Sequence, residues 1–380
     1  MQQKPIIVLA DDSSGACEMA GIALRFGLPA EVQQSFNTAT DAAVIVYNSD
    51  TRSRELPEAR QIVRAFCQRL PKQGPGFYLF KKIDSVLRGH IVEEARILQH
   101  ALNLEQAFLL PANPSRGRII QNRAYLINGQ PLHKTAFRYD PDFPRAHAYL
   151  PHLLGDSQQI NHLQEGERPD RAGLFTMDVT RASTLQDFVD PQAGHLYCGA
   201  ADAFQAFLKK LGKTPTPSNP PLEYLTANYF IVVGGSTFQA PNQTLLDRHT
   251  TLPRLTLPLH LPKDSHAWQA EAIALFKQHR CLFIRAPKEI RPSPGTARQI
   301  ETLLARAVVL LLSLTEGERA HILATGGATA AAIIQMLGSP CLHARQELAP
   351  GVVVLETAEG LQLTIKPGSY PWPDIRFKIR

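Results

Sequence analysis

Nowhere in the 380 residues does a Gly-x-x-x-x-Gly-Lys run lead into Ser or Thr, which excludes a P-loop nucleotide site. No Gly-x-Gly-x-x-Gly follows a strand-like run either, and the protein-kinase signatures are missing. Cysteine is scarce: Cys17, Cys67, Cys198, Cys281 and Cys341 are odd in number, far apart and free of Cys-x-x-Cys spacing. That argues against a zinc site or a disulfide framework and predicts reduced thiols in a cytoplasmic protein. Long apolar runs are absent. The longest, Ala307–Leu312, is far too short to span a bilayer, and Ile6–Ala10 is too short for a signal peptide. Charge is sparse as well: 19% of residues are charged against 44% hydrophobic, a balance that fills cores and does not suit a disordered chain. The net charge of +6 suits an acidic partner, small molecule or nucleic acid. The basic residues form no run and no aromatic-interleaved stripe, so a small anion is the better reading. No nucleic-acid or membrane partner is expected, and the oligomeric state is not legible.

What is present is one pattern repeated: a short apolar run, a polar cluster, then an amphipathic segment. Ile6–Ala10 leads into Asp11-Asp12-Ser13-Ser14-Gly15, Val44–Tyr47 into Asn48–Arg54, Phe77–Phe80 into Lys81–Ser85, and Ala107–Leu110 into Pro111–Arg118. The stretches 17–26 and 58–70 carry apolar residues at helical spacing. Continuous apolar strands alternating with helices predict a parallel sheet covered on both faces. Ligands of such sheets bind beyond the carboxyl ends of the strands, where these clusters fall. Asn128-Gly129 between apolar flanks predicts a hairpin within 117–144.

Prolines crowd 213–225, and the apolar-run pattern restarts at Tyr229. The reading is therefore an α/β chain of two domains, 1–213 and 226–380, joined by a Pro-rich linker at 214–225. Each domain is expected to hold a mainly parallel sheet flanked by helices, with the active site in the interdomain cleft. In the second part, Tyr229–Val233 ends in Gly234-Gly235-Ser236, and His321–Ala324 ends in Thr325-Gly326-Gly327-Ala328-Thr329. A glycine pair after a strand is either a tight turn or a cradle where bare backbone approaches a phosphate at a helix N-terminus. Two of them in one domain favour the phosphate. Lys366-Pro367-Gly368 follows a further strand-like run, and Lys366 reads equally as a phosphate contact or a solvated turn residue.

In the first part, Ser13 or Ser14 can cap the first helix, which frees an aspartate of the Asp11–Asp12 pair to bind hydroxyls or act as base. Lys82, Asp84, Ser85 and Arg88 form the richest cluster, with Arg52 and Arg54 adding charge at a neighbouring strand end. Cations that clamp a carboxylate, beside carboxylates that bind hydroxyls, suggest a hydroxylated acid.

At these residues the chain resembles the four-carbon acid sugar kinase family. Ala-Asp-Asp-Ser-Ser-Gly-Ala at 10–16 is similar to the family's Ala-Asp-Asp-Leu-Thr-Gly-Ala. Lys-Lys-Ile-Asp-Ser-Val-Leu-Arg-Gly at 81–89 differs from the family run by Val86 for Thr. The stretch 128–135 with Asp140-Pro141, the run 325–329 and the run 366–369 resemble three further family segments, in the same order. The resemblance implies a sugar-acid-binding N-terminal domain, a nucleotide-binding C-terminal domain, and ATP-dependent phosphorylation of acids such as threonate, erythronate or their oxo forms, with Mg2+ arriving on the nucleotide. It implies substrate contacts from Asp11, Asp12, Arg54, Lys82, Ile83, Asp84 and Ser85, with Arg88 alongside. It implies ATP contacts from Ser236, Gly326, Gly327, Ala328, Thr329 and Gly368, with Lys366 near the phosphates. Asp12 or Asp84 would orient or deprotonate the hydroxyl, and Lys82 or Lys366 would offset charge on the moving group. Ala328 stands where the family has Glu, and Ser369 where it has Asn. Those departures motivate a rival, a sugar-acid or nucleotide sensor without turnover. A phosphohydrolase built on Asp11 and Asp12 is a second rival, against which the Gly-rich second domain argues.

Overall fold

A computed structural model of the chain describes residues 4–72, 76–140, 143–155, 160–216, 224–235, 245, 249, 251–258, 265–287, 294–368 and 370–380. The backbone divides into two compact units, Met1–Thr216 and Pro217–Arg380. Most of the stretch read as a linker lies outside the described residues.

The first unit alternates strands and helices: β1 (Ile6–Ala10), α1 (Ser13–Arg25), β2 (Ala30–Gln33), β3 (Val44–Asn48), α2 (Leu56–Arg69), β4 (Tyr78–Lys82), α3 (Ile91–Ala101) and β5 (Gln106–Leu110). An excursion follows, with β6 (Arg118–Gln121), β7 (Ala124–Ile127), β8 (Gln130–Pro131) and the single turn α4 (Leu150–Leu153). The unit closes with β9 (Ile160–Leu163), β10 (Gly173–Met177), α5 (Ala182–Phe188), β11 (Leu196–Gly199) and α6 (Ala201–Lys210). The main sheet runs β9-β10-β5-β11-β4-β1-β3-β2, and every pair in it is parallel. β1 lies between β3 and β4 and is buried along its whole length, as a central strand covered on both faces should be.

Helices seal the sheet with regular stripes. From α2 the buried residues are Ala59, Val63 and Phe66, spaced by four and three. From α6, Phe204 and Phe207 pack on Phe80 of β4 at ring separations of 5.0 and 5.4 Å. The expected hairpin is present: Ile127 pairs with Gln130, and Asn128 and Gly129 both take positive φ, the geometry of a two-residue turn matched to strand twist.

The second unit holds β13 (Tyr229–Gly234), β14 (Arg254–Thr256), β15 (Cys281–Arg285), β16 (Ala320–Thr325), β17 (Cys341–Ala349), β18 (Val352–Glu356) and β19 (Gln362–Lys366). Its main sheet is ordered β14-β15-β13-β16-β19-β18-β17. The first five of these pair in parallel, whereas β17, β18 and β19 form an antiparallel meander that the apolar runs do not reveal. A small parallel pair, β12 (Tyr224–Ala227) with β20 (Arg376–Ile379), completes the unit. Its helices include Ser265–His279, Pro294–Leu312 and Gly327–Leu337. The α/β class with mainly parallel sheets thus holds. No helix among the described residues is long and apolar enough to cross a membrane, and the five cysteines are free thiols.

Candidate functional site

In the first unit the ends of β3, β1 and β4 lie side by side, so the clusters that follow them converge. Asp12 itself caps α1, accepting the Gly15 N–H at 2.8 Å, which corrects the reading that Ser13 or Ser14 does so. The helix begins at Ser13, so the residue just before it holds the extended conformation a cap requires. Asp12 keeps further capacity: its carboxylate also takes the Ser14 hydroxyl at 2.5 Å.

Arg52 is the centre of the cluster. Its guanidinium donates to both oxygens of Asp11 at 2.9 Å and to Asp12 at 2.7 and 2.8 Å, and stands 3.6 Å from Asp84. Arg88 forks onto Asp84 through Nε at 3.0 Å and Nη2 at 2.9 Å, and reaches Asp140 at 3.1 Å. The backbone N–H groups of Val86 and Arg88 also donate to Asp84. Burial alone would raise the Asp84 carboxyl, but Arg88, Arg52 and these hydrogen bonds outweigh it and hold it well below its ordinary value. Asp11 is lowered for the same reason, with Arg52, Lys81 and Lys82 overriding burial. The Arg52 guanidinium is desolvated, yet the three carboxylates around it raise its proton affinity well above normal.

Asp11, Asp12, Lys82, Asp84, Ser85 and Arg88 are therefore brought together. Lys82 donates to the Ile83 carbonyl at 2.9 Å and stands 3.6 Å from Glu18. Ile83 is fully buried and contributes backbone only. Arg54 does not join: it turns to Asp50 and Glu58, two exposed partners on its own segment. The fourth cluster is largely consumed by structure. β11 lies between β4 and β5, and Asn113 and Ser115 tie the loop after β5 to Asp202 of α6. Gly89 is needed where it stands: its φ is +87°, and a Cβ there would lie 3.2 Å from Asp11 Oδ2 and 3.3 Å from Arg52 Cγ. Sequence reasoning gave Arg52 only an added charge at the strand end, not the centre of the cluster, and missed Arg145, which donates to the Leu87 carbonyl at 3.1 Å. No spacing or motif signals Arg145. Elsewhere in this unit, a cleft of about 820 Å³ is lined by His162, Arg168 and Phe175 among others, and contains none of the clustered residues.

In the second unit, β16 ends in Thr325 and turns through Gly326, at φ +102°, into the helix Gly327–Leu337. No side chain caps this helix, and its first internal bond runs from the Ala330 N–H to the Gly326 carbonyl. The N–H groups of Gly327, Ala328 and Thr329 precede that bond and form an N-terminus suited to an anion. Gly235, at the end of β13, comes so close to Thr329 that a Cβ would lie 2.9 Å from the Thr329 Cβ. Gly235→Ala should therefore push the end of β13 away from the first turn of the helix Gly327–Leu337. We expect a loss of about 1–3 kcal/mol in stability, read by thermal unfolding.

Lys366 is not a solvated turn lysine. It is fully buried, and its ammonium donates to the carbonyls of Pro367 at 2.9 Å and Tyr370 at 2.5 Å. Burial pushes its pKa down to about 7, and the Trp372 ring lies 5.7 Å away. Its carbonyl accepts the Gly326 N–H at 2.9 Å, so the loop after β19 is tied to the Gly326 turn. Gly368 sits half-buried in that loop, and Ala328 exposes its methyl at the first helical turn. Ser236 and Ser369 lie outside the described residues.

Comparison with known proteins decides the family. Residues 6–192 match a model described as a sugar-binding N-terminal domain, and residues 267–370 match one described as a nucleotide-binding C-terminal domain. The chain belongs to the four-carbon acid sugar kinase family. It is 24% identical over 402 residues to the D-threonate kinase of Salmonella typhimurium LT2, covering 96% of this chain and 95% of that protein. It is 23% identical over 407 residues to a 3-oxo-tetronate kinase of the same organism, with coverage of 96% and 95%. A solved Salmonella typhimurium LT2 structure aligns with a TM-score of 0.74 over 97% of this chain and 96% of that one. At 19% identity that likeness shows the shared fold alone.

Proposed function

We propose that this four-carbon acid sugar kinase transfers the terminal phosphoryl group of ATP to a hydroxyl of an acid such as threonate, erythronate or an oxo-tetronate. The observation that carries the reading is the carboxylate–arginine cluster at the ends of β1, β3 and β4, inside the region that matches the sugar-binding model. The uncapped helix N-terminus at Gly326–Thr329, inside the nucleotide-binding match, supports the donor half.

Within the cluster the roles divide by how open each carboxylate is to a ligand and how its charge is held. Asp84 is saturated by two arginines and two backbone N–H groups and is held ionised, so it orients Arg88 and is a poor proton acceptor. Asp12 is the most open of the three aspartates, with 13% of its side chain exposed, and is assigned the hydroxyl. Lys82, with donors left after its bond to Ile83, offsets charge on the transferred group. Magnesium comes with the nucleotide as part of the substrate, and catalysis rests on positioning and electrostatics.

An ADP-release screen over four-carbon acids tests the reading. Acid-dependent ADP release by the wild type is expected. Binding of both acid and ATP with no ADP on any acid would replace the kinase by a sensor, the reading that Ala328 motivates. Phosphate release from phosphorylated acids without nucleotide would point to a hydrolase.

A further inference from the structure

Recognition of an acid needs a cation whose N–H donors are not already spent, and most cations near the cluster are spent. Lys81 is buried against Glu94 at 2.7 Å and also donates to the Lys82 carbonyl. Arg52 is committed to Asp11 and Asp12, Arg88 to Asp84 and Asp140, and Arg54 to Asp50 and Glu58. Lys82 keeps donors after its bond to Ile83, but these are assigned to the transferred group. Two arginines remain, and both come from the excursion between β5 and β9.

Arg118, at the start of β6, donates through Nη1 to the Ser85 hydroxyl, with its guanidinium 5.5 Å from the Phe137 ring. Arg145 donates through Nη2 to the Leu87 carbonyl at 3.1 Å, and its Nε is buried with no hydrogen-bond partner. Neither forms a salt bridge among the described residues. The two grip the 84–88 loop on either side of Val86. The charged groups that act on Arg145 are Asp84, Arg88 and Asp140, and they do not offset its desolvation: its proton affinity is lowered where that of Arg52 is raised. A half-buried guanidinium with an unused N–H, and with Asp84 and Asp140 near but no salt-bridge partner among the described residues, is what a carboxylate ligand completes.

We propose that Arg145 and Arg118 are the specificity residues that clamp the carboxylate of the acid, while Arg52 holds the aspartates in place. The proposal rests on the reading that the first unit binds a sugar acid. It assigns acid recognition to Arg118, the last residue of the fourth strand-end cluster, and to Arg145, which lies outside those clusters, and removes it from Arg54.

The test compares binding of D-threonate with binding of threitol, its neutral counterpart, by calorimetry, alongside kinetics with ATP. Arg145→Gln and Arg118→Gln should each weaken D-threonate by about 10–100-fold, as expected for a charge-assisted hydrogen bond. Threitol binding, the KM for ATP and the unfolding temperature should barely change, and Arg145→Lys should restore part of the threonate affinity. Equal loss for threonate and threitol would show that the arginines only shape the loop, and would overturn the clamp. Unchanged threonate affinity would overturn it too, leaving the kinase reading intact. Selective loss of threonate binding in a protein that never releases ADP would uphold the clamp and overturn the kinase reading. Wild-type protein that binds no four-carbon acid would overturn both.

Discussion

Asp12→Asn is expected to lower phosphoryl transfer to the acid by about 10²–10⁴-fold, the range typical of losing a positioned acid–base group. The variant isolates charge from structure. Asn is as good an N-cap as Asp, so the bond from the Gly15 N–H survives and α1 keeps its start. Arg52 retains Asp11 and Asp84, so the cluster does not fall apart. What disappears is the carboxylate charge assigned to the substrate hydroxyl. Steady-state kinetics with unfolding curves check this: kcat should fall while the unfolding temperature moves little. If Asp12→Asn keeps full activity, the hydroxyl is handled by another group.

The largest stability effect is expected at Arg52. Arg52→Met leaves Asp11, Asp12 and Asp84 crowded together with their shared counter-charge gone. Removing one member of a buried ion network costs about 3–5 kcal/mol. Urea unfolding at neutral pH reads this directly, and acid binding should be lost with it. The pH dependence gives a second signature. Asp11 and Asp84 hold their protons less tightly in the folded chain than in the unfolded one. Their stabilising contribution is therefore complete above the ordinary carboxylate range, and is lost as pH falls through their lowered folded values. Without Arg52 the folded values rise, so acid unfolding of Arg52→Met should begin at higher pH than in wild type. An unshifted acid limb would mean that Arg52 does not govern these carboxylates.

Those two residues also show where the sequence stopped being informative. The ends of β1, β3 and β4 were legible because fully buried parallel strands read as continuous apolar runs, and their polar successors stand out. Arg52 and Arg54 are two residues apart, and nothing in composition or spacing separates them. The backbone does: the Arg52 N–H is tied to the Asp11 carbonyl, which swings its side chain over the aspartates, while Arg54 lies one turn before Glu58 of α2. The sequence leaves the cap open because three adjacent polar residues can all cap, and only the observed first turn selects Asp12. The separation of β4 from β5 by β11, and hence the structural use of Asn113 and Ser115, depends on strand order, which chain order does not encode. The sequence leaves Lys366 equally a phosphate contact or a solvated turn residue, because burial of a lysine depends on a loop folding back over it. In the antiparallel meander, β17 mixes buried, partly buried and exposed positions, and the apolar run Val352–Leu355 of β18 carries no sign of strand direction.

The central claim, that the chain moves phosphate from ATP to a four-carbon acid, is tested most directly by following the γ-phosphoryl group itself. With ATP, Mg2+ and a panel containing threonate, erythronate and 3-oxo-tetronate, phosphorus NMR should show a phosphomonoester appearing as ADP forms, in equal amounts. Asp12→Asn should suppress both signals together. Inorganic phosphate in place of the ester, or no change in the ATP signals with any acid, would contradict the account.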